Sequence, residues 1–334
     1  MTAASNRRPA NAADGRAIVA DSTPLEKEGK RIGGLMSLPA QLLLVFIVVF
    51  PLLMQVYISL TWWGPLDGVP WYRAYDSWNW FYNYVDLFYD DRLWGALWRT
   101  FVIVIVCVPA QFLIGLGLAT LFVDKFHGKS IFYTILLTPM MVVPAVVGYM
   151  FFIMFQQSGP INDLIGGLVG SPVQINWLSD VNLAMVAVMI AEIWEWTPLM
   201  FLILLAGLSG VADDQMRAAR LLGASAWQRF WRIALPKMKM VIIIALVLRT
   251  VECIKVFDTL FIMTSGGPGV ATESISLYIY KRTFQDLEWS YVASIGLFIL
   301  VALSVIAGLG IWSLTRKRKA KVSLRKPLAA VVKE

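Results

Sequence analysis

Charge is scarce in this chain, and the residues that usually carry catalysis or bind metal are scarcer still. Asp, Glu, Lys and Arg make up 15% of 334 residues, and there is one histidine beside two cysteines. A soluble domain carries about 25% charged residues. The lone histidine, His127, has no partners at metal-ligand spacing, so no metal site is expected. Cys107 and Cys253 both lie in apolar runs, where a thiol serves as a small buried hydrophobe rather than as half of a disulfide. No Gly-x-x-x-x-Gly-Lys-Ser/Thr run occurs, which removes the usual phosphate-cradling loop for ATP. Gly266-Gly-Pro-Gly269 lacks the lysine and reads as a turn. With no serine-nucleophile elbow either, no catalytic residue is proposed and the chain is not expected to be an enzyme.

Apolar side chains are what the sequence has in excess, at 58%. A core cannot hold that much apolar surface, so a lipid-facing exterior is the simpler account. A membrane helix needs about 20 mostly apolar residues. Six runs meet that need, at 37–61, 96–123, 131–155, 183–208, 240–263 and 291–314. The polar stretch before the first run is too long for a signal-peptide n-region, and no small-x-small cleavage site follows, so the run reads as an uncleaved span. The expected architecture is an all-α integral membrane protein with six transmembrane helices. A polar segment (1–35) precedes the membrane domain (36–314), and a basic tail (315–334) follows it.

The net charge of +7 is not a nucleic-acid footprint, because the charges lie between apolar runs rather than on one face. Most of the 29 basic residues fall in 1–35, 124–130, 209–239 and 315–334. Arg73, Arg92, Arg99, Lys281 and Arg282 fall in the alternate segments. Basic loops stay on the cytoplasmic side, which predicts both termini in the cytoplasm. The alternate segment 62–95 holds Trp62, Trp63, Trp71, Trp78, Trp80 and Trp94. Such rings suit the membrane–water boundary, and they could also form a solute-binding surface. Pro109, Pro139, Pro144 and Pro198 lie inside spans and predict kinks there.

The segment 209–239, between the fourth and fifth runs, is long for an inner loop. Asp213 is positioned to cap a helix, with Asp214 at its positive end, and Gly223 to end it. Ser225 is positioned to cap a second helix, running towards Leu235 and stopping at Pro236. On its residues alone, this could be an amphipathic helix resting on lipid headgroups. The order of residues says more. Ala218-Ala219, then Gly223-Ala224, then Phe230, Ile233, Leu235 and Pro236 resembles the EAA signature of binding-protein-dependent ABC permeases. In that family the signature is a cytoplasmic helix–Gly–helix that docks in a cleft of the ATPase. Trp194-Glu-Trp-Thr-Pro198 and Lys255-Val-Phe-Asp258, followed by Thr264-Ser-Gly-Gly-Pro268, resemble its carbohydrate-uptake branch. The resemblance covers about residues 36–314. One position departs from the pattern: Arg217 stands where the family has a Glu that pairs with a basic residue of the ATPase. An Arg there cannot form that pair, so Asp213 or Asp214 substitutes or the contact differs.

The resemblance implies two ATPase subunits, with ATP and Mg bound there and no cofactor on this chain. It implies a second permease subunit, an extracytoplasmic solute-binding protein, a bacterial inner-membrane location and a sugar-like solute. An ion-gradient-driven transporter is the alternative, supported by charges inside the spans.

Charge at mid-bilayer costs about 2.5–3.5 kcal/mol per residue on insertion scales. The fifth run nevertheless carries Arg249, Glu252, Lys255 and Asp258 at a spacing of three, with alternating sign. The fourth adds Glu192 and Glu195, one turn apart. Adjacent members can meet on a helix surface, and Glu195 can reach Arg249. Two readings follow: a structural ion-pair ladder, or a polar solute path lined by Glu192, Trp194, Glu195 and Trp196. Carboxylates suit sugar hydroxyls, and indole faces suit apolar ring edges.

Overall fold

The computed structural model describes residues 24–124, 126–306 and 308. The basic tail 315–334 and the first part of the polar segment lie outside them, as does nearly all of the sixth run beyond residue 306. Two compact units are present, residues 1–57 and 58–334. The described part of the first lies in helix α1 (Pro24–Ser59), whose stretch Met36–Ser59 is long and apolar enough to cross a membrane.

Among the described residues of the second unit the regular secondary structure is helical, apart from an isolated bridge, Thr61 to Trp78. Its centre is the pair α3 (Asp91–Val123) and α7 (Val181–Ser209). Both are long apolar helices started by a side chain: Asp90 accepts from the Leu93 N–H, and Asp180 from those of Asn182 and Leu183. Gly115 lets them pack backbone to backbone. A Cβ there would lie 2.9 Å from the Phe201 nitrogen.

The expected third run is two helices. Lys129–Met141 (α4) and Pro144–Met154 (α5) meet at 97°. Pro144 cannot donate to a continuing helix, but it fits the first turn of a new one, where its missing N–H is not needed. The next helix, α6 (Pro160–Val169), was not anticipated from the sequence.

The expected fifth run is also broken. Helix α11 (Lys239–Ile254) ends at Lys255, and α12 (Asp258–Thr264) restarts after Phe257. Helix α13 (Ile275–Phe284) follows, then α14 (Trp289–Ile306). Four helices among the described residues are therefore long and apolar enough to cross a membrane, or five with the bent α4–α5 pair, against the six expected. The difference lies in the breaks: an uninterrupted apolar stretch does not reveal where the backbone turns.

Apolar packing falls into three clusters. One joins α3, α5, α7, α11 and α12 around Ile103, Phe151, Ala191 and Leu260, and it includes the free thiols Cys107 and Cys253. A second holds Phe122, Phe201, Leu204, Ala234 and Met238. The third, at the opposite end of the bundle, holds Leu87, Leu93, Tyr278 and Ile295.

Candidate functional site

The segment between α7 and α11 does form a helix–Gly–helix. Its first helix is α8 (Asp213–Leu221). Asp213 does not cap it, as the sequence suggested. The capping position is Ala212, and Asp213 lies in the first turn, 3.6 Å from Arg217 across one helical turn. Asp214 also lies in the first turn, exposed near the positive end of the helix.

The turn at Gly223 follows from its backbone. Gly223 has φ +80°, a conformation that only glycine adopts without strain. Its N–H donates to the Arg220 carbonyl at 3.0 Å, and the Ala224 N–H donates back to Ala219 at 3.0 Å. This pair of bonds closes a helix with a left-handed residue. Ser225 then starts the second helix in a reciprocal cap: it accepts from the Gln228 N–H while the Gln228 side chain accepts from the Ser225 N–H.

The second helix does not stop at Pro236. It runs as α9 (Ala226–Arg229), a π-helical turn (Phe230–Ala234) and α10 (Leu235–Lys237). Pro236 would crowd the carbonyl four residues back in a regular helix, and the wider π turn before it gives room. Phe230, Ile233 and Leu235 are half-buried, whereas Ala218 and Pro236 are exposed. Ala234 and Met238 are buried among Phe201 and Leu204 of α7, so the loop is bolted to the bundle at its second half.

Its first half projects. Leu221 and Leu222, immediately before Gly223, are each 88% exposed, and Trp227, just after the turn in the second helix, is 69% exposed. These were not singled out from sequence, because two leucines ending an amphipathic helix look like core. They form a bare apolar knuckle at the turn.

The charges expected along a solute path separate into groups. Arg249 pairs with Glu192 rather than with Glu195, and both are 2% exposed. Gln111 completes the set: its amide donates to the Glu192 carbonyl at 2.9 Å, and its oxygen accepts from Arg249 Nε at 2.7 Å. The Trp196 ring lies 5.0 Å from the guanidinium. One network thus ties α3, α7 and α11 together. Glu195 faces α12, where the Thr259 hydroxyl donates to it at 3.2 Å. Trp194 points outward against Phe151, ring centroids 5.4 Å apart. Glu252 and Lys255 form an exposed pair at 3.1 Å, and exposed Asp258 lies in the first turn of α12. The continuous ladder does not form, because Arg249 turns inward and the helix ends at Lys255.

Sequence reading missed Glu273. It lies in the loop between α12 and α13, wholly buried, and accepts from Arg92 at 2.8 Å and Lys281 at 3.0 Å, with Arg99 at 3.9 Å. Burial opposes its ionisation, yet the bonds from Arg92 and Lys281 outweigh it and hold the carboxyl below the usual range. Nearby, burial and a hydrogen bond to Asp90 push the Tyr278 phenol up to about 12. The only signal in the sequence was that Arg92, Arg99 and Lys281 all fall in segments assigned to the same face of the membrane.

Residues 88–315 match the family described as binding-protein-dependent transport system inner membrane component. This chain belongs to that family of ABC transporter permeases. The permease is 32% identical over 270 residues to the sulfoquinovosyl glycerol transport system permease of Agrobacterium fabrum, covering 80% of this chain and 84% of that one. It is 32% identical over 282 residues to the trehalose/maltose transport system permease of Thermococcus litoralis, covering 84% and 93%. Its fold resembles a chain in the crystal structure of a bacterial ABC transporter involved in the import of the acidic polysaccharide alginate. The TM-score is 0.69 at 19% identity, covering 84% of this permease and 95% of that chain.

Proposed function

We propose that this permease is the membrane-spanning subunit of an ATP-driven importer that moves a sugar or sugar-like solute across the bacterial inner membrane by alternating access. The observation that carries this reading is the knuckle Leu221-Leu222-Gly223: exposed at its tip, yet joined through Ala234 and Met238 to the packed ends of α7 and α11. A cleft in an ATPase subunit would cover those leucines. Closure of the ATPase dimer on ATP would then be transmitted into the helices. The residues in contact would be Asp213, Asp214, Arg217, Ala218, Ala219, Gly223, Ala224, Phe230, Ile233, Leu235 and Pro236, together with Leu221 and Leu222.

In this reading both termini are cytoplasmic and there are six crossings: α1, α3, the α4–α5 pair, α7, the α11–α12 pair and α14. ATP and Mg sit on two partner ATPases, a second permease completes the path, and an extracytoplasmic binding protein delivers the solute. The sugar class rests on the relatives, which include trehalose, lactose and sulfoquinovosyl glycerol permeases. Glu195, Trp194 and the exposed Glu252, Lys255 and Asp258 are the candidates for the path, while the Glu192–Arg249 pair and Trp196 hold its wall.

Reconstitution with the candidate ATPase, second permease and binding protein tests this reading. Uptake is expected to require ATP and all three. Uptake by this chain alone on a proton gradient would overturn it in favour of a secondary transporter.

A further inference from the structure

A second surface of the same loop is built differently from the knuckle. Between the end of α3 and the α8–α9 helices lies an open cavity of about 750 Å³. One wall is a stripe of α3: Leu113, Leu116, Gly117 and Thr120, spaced to run two turns along one side of the helix. Gly117 leaves real room, since a Cβ there would meet nothing within 4 Å. The opposite wall carries Arg217, Arg220 and Arg229, and the carboxylates Asp124 and Asp213 also line the cavity, leaving an excess of one positive charge. Arg217 is held by Asp213, and Arg229 donates to the Ala224 carbonyl at 2.7 Å. Arg220 has no carboxylate partner among the described residues.

The two walls match the two halves of one molecule. An apolar track at the end of a membrane helix accepts an acyl chain. Guanidinium groups directly beyond it, past the C-terminal end of the apolar helix α7, accept a phosphate. Basic recesses at this depth select anionic lipid headgroups. We infer that this cavity is a binding site for one anionic phospholipid, its phosphodiester on Arg220 and its acyl chain along Leu113, Leu116 and Gly117. The site depends on the family's membrane location and not on the solute or the energy source, so it stands or falls separately from the importer reading.

The test uses the full chain, purified in mild detergent and examined by native mass spectrometry with phosphatidylglycerol, phosphatidylcholine or inorganic phosphate added. One phosphatidylglycerol is expected to stay bound where phosphatidylcholine does not. Arg220→Gln should weaken retention about fivefold, as expected for one arginine at a lipid headgroup. Gly117→Leu adds bulk to the track from a Cβ that meets no atom within 4 Å, so it should expel the lipid and leave the lipid-free melting temperature unchanged. Equal retention of phosphatidylglycerol by wild type and Gly117→Leu would overturn the site. So would displacement by millimolar phosphate alone, which would reveal an anion site without a lipid track. Crosslinks from Leu113 to another segment of this chain or to a partner subunit, in place of lipid, would overturn it as well.

Discussion

Arg249 closes on Glu192 inside the helix bundle, and each is all but removed from solvent. A paired charge in such a place costs little to keep and much to halve. Removing one partner of a buried pair costs about 3–5 kcal/mol. Arg249→Met is therefore expected to lower the melting temperature sharply and reduce the folded yield, because the buried Glu192 carboxyl is left without its partner. Replacing both with Gln and Met should recover much of that loss. Thermal scans of the single and double variants in detergent check this. A single variant as stable as wild type would show that the pair contributes nothing.

Glu195 differs in kind, since it accepts one hydrogen bond from Thr259 and pairs with no cation among the described residues. Glu195→Gln keeps that bond and should leave the fold stable. Transport assays are expected to show weakened uptake or altered solute preference. Unchanged uptake and preference in a stable protein would remove Glu195 from the solute path.

At Gly223 the left-handed backbone penalises any side chain by about 1–2 kcal/mol, although open space surrounds it. Gly223→Val should spare the packed bundle but misdirect Leu221 and Leu222. ATP hydrolysis by the assembled transporter should then continue while uptake falls. Parallel ATPase and uptake measurements would expose the uncoupling, and coupled activity at wild-type ratio would argue against it.

Arg217 meets Asp213 in an exposed pair, the two side chains 75% and 83% accessible, where such contacts are worth about 0–1 kcal/mol. Arg217→Glu should leave stability unchanged and be tolerated, or tighten docking, if the facing ATPase surface is basic. Pull-down of the ATPase reads the answer, and loss of binding would show that surface to be acidic.

Glu273 sets an acid limit. Its folded carboxyl is held below the usual range, so the unfolded chain takes up a proton first as pH falls. The stability it contributes is complete above its unfolded value, 4.5, and is lost as pH drops through the lower folded value. Melting temperature in that window should fall with acid in the wild type. Glu273→Gln should start lower at neutral pH and show a shallower acid slope. Parallel slopes would show that another group titrates.

How much of this could be read from the chain follows from the range of the signal. The turn at Gly223 and the cap at Ser225 were legible because they act within two residues of each other, whereas the cap expected at Asp213 moved to Ala212 and the stop expected at Pro236 moved to Lys237 once the helices packed. The α3–α7 core was legible as apolar length. The intramembrane charges were visible, but their partners were not, because Gln111, Glu192 and Arg249 come from three helices whose rotation is set by packing. The helix break at Lys255–Phe257 carries no proline or glycine to announce it. Glu273 sits in a loop with nothing periodic around it.

Gly115 brings α3 and α7 so close that a single methyl group cannot pass between them. Two rods in that contact cannot slide or roll past one another without first separating, so they behave as one beam. Bending has to be relocated to the places where the backbone is already interrupted: the right-angled junction at Val142-Val143 and the gap at Lys255–Phe257. Helices α5 and α12 lie just beyond these two interruptions and pack on each other, with the Thr259 hydroxyl bonded to the Pro144 carbonyl at 3.3 Å. They form one packed pair, set between the two interruptions and tied to α7 through the Thr259–Glu195 bond.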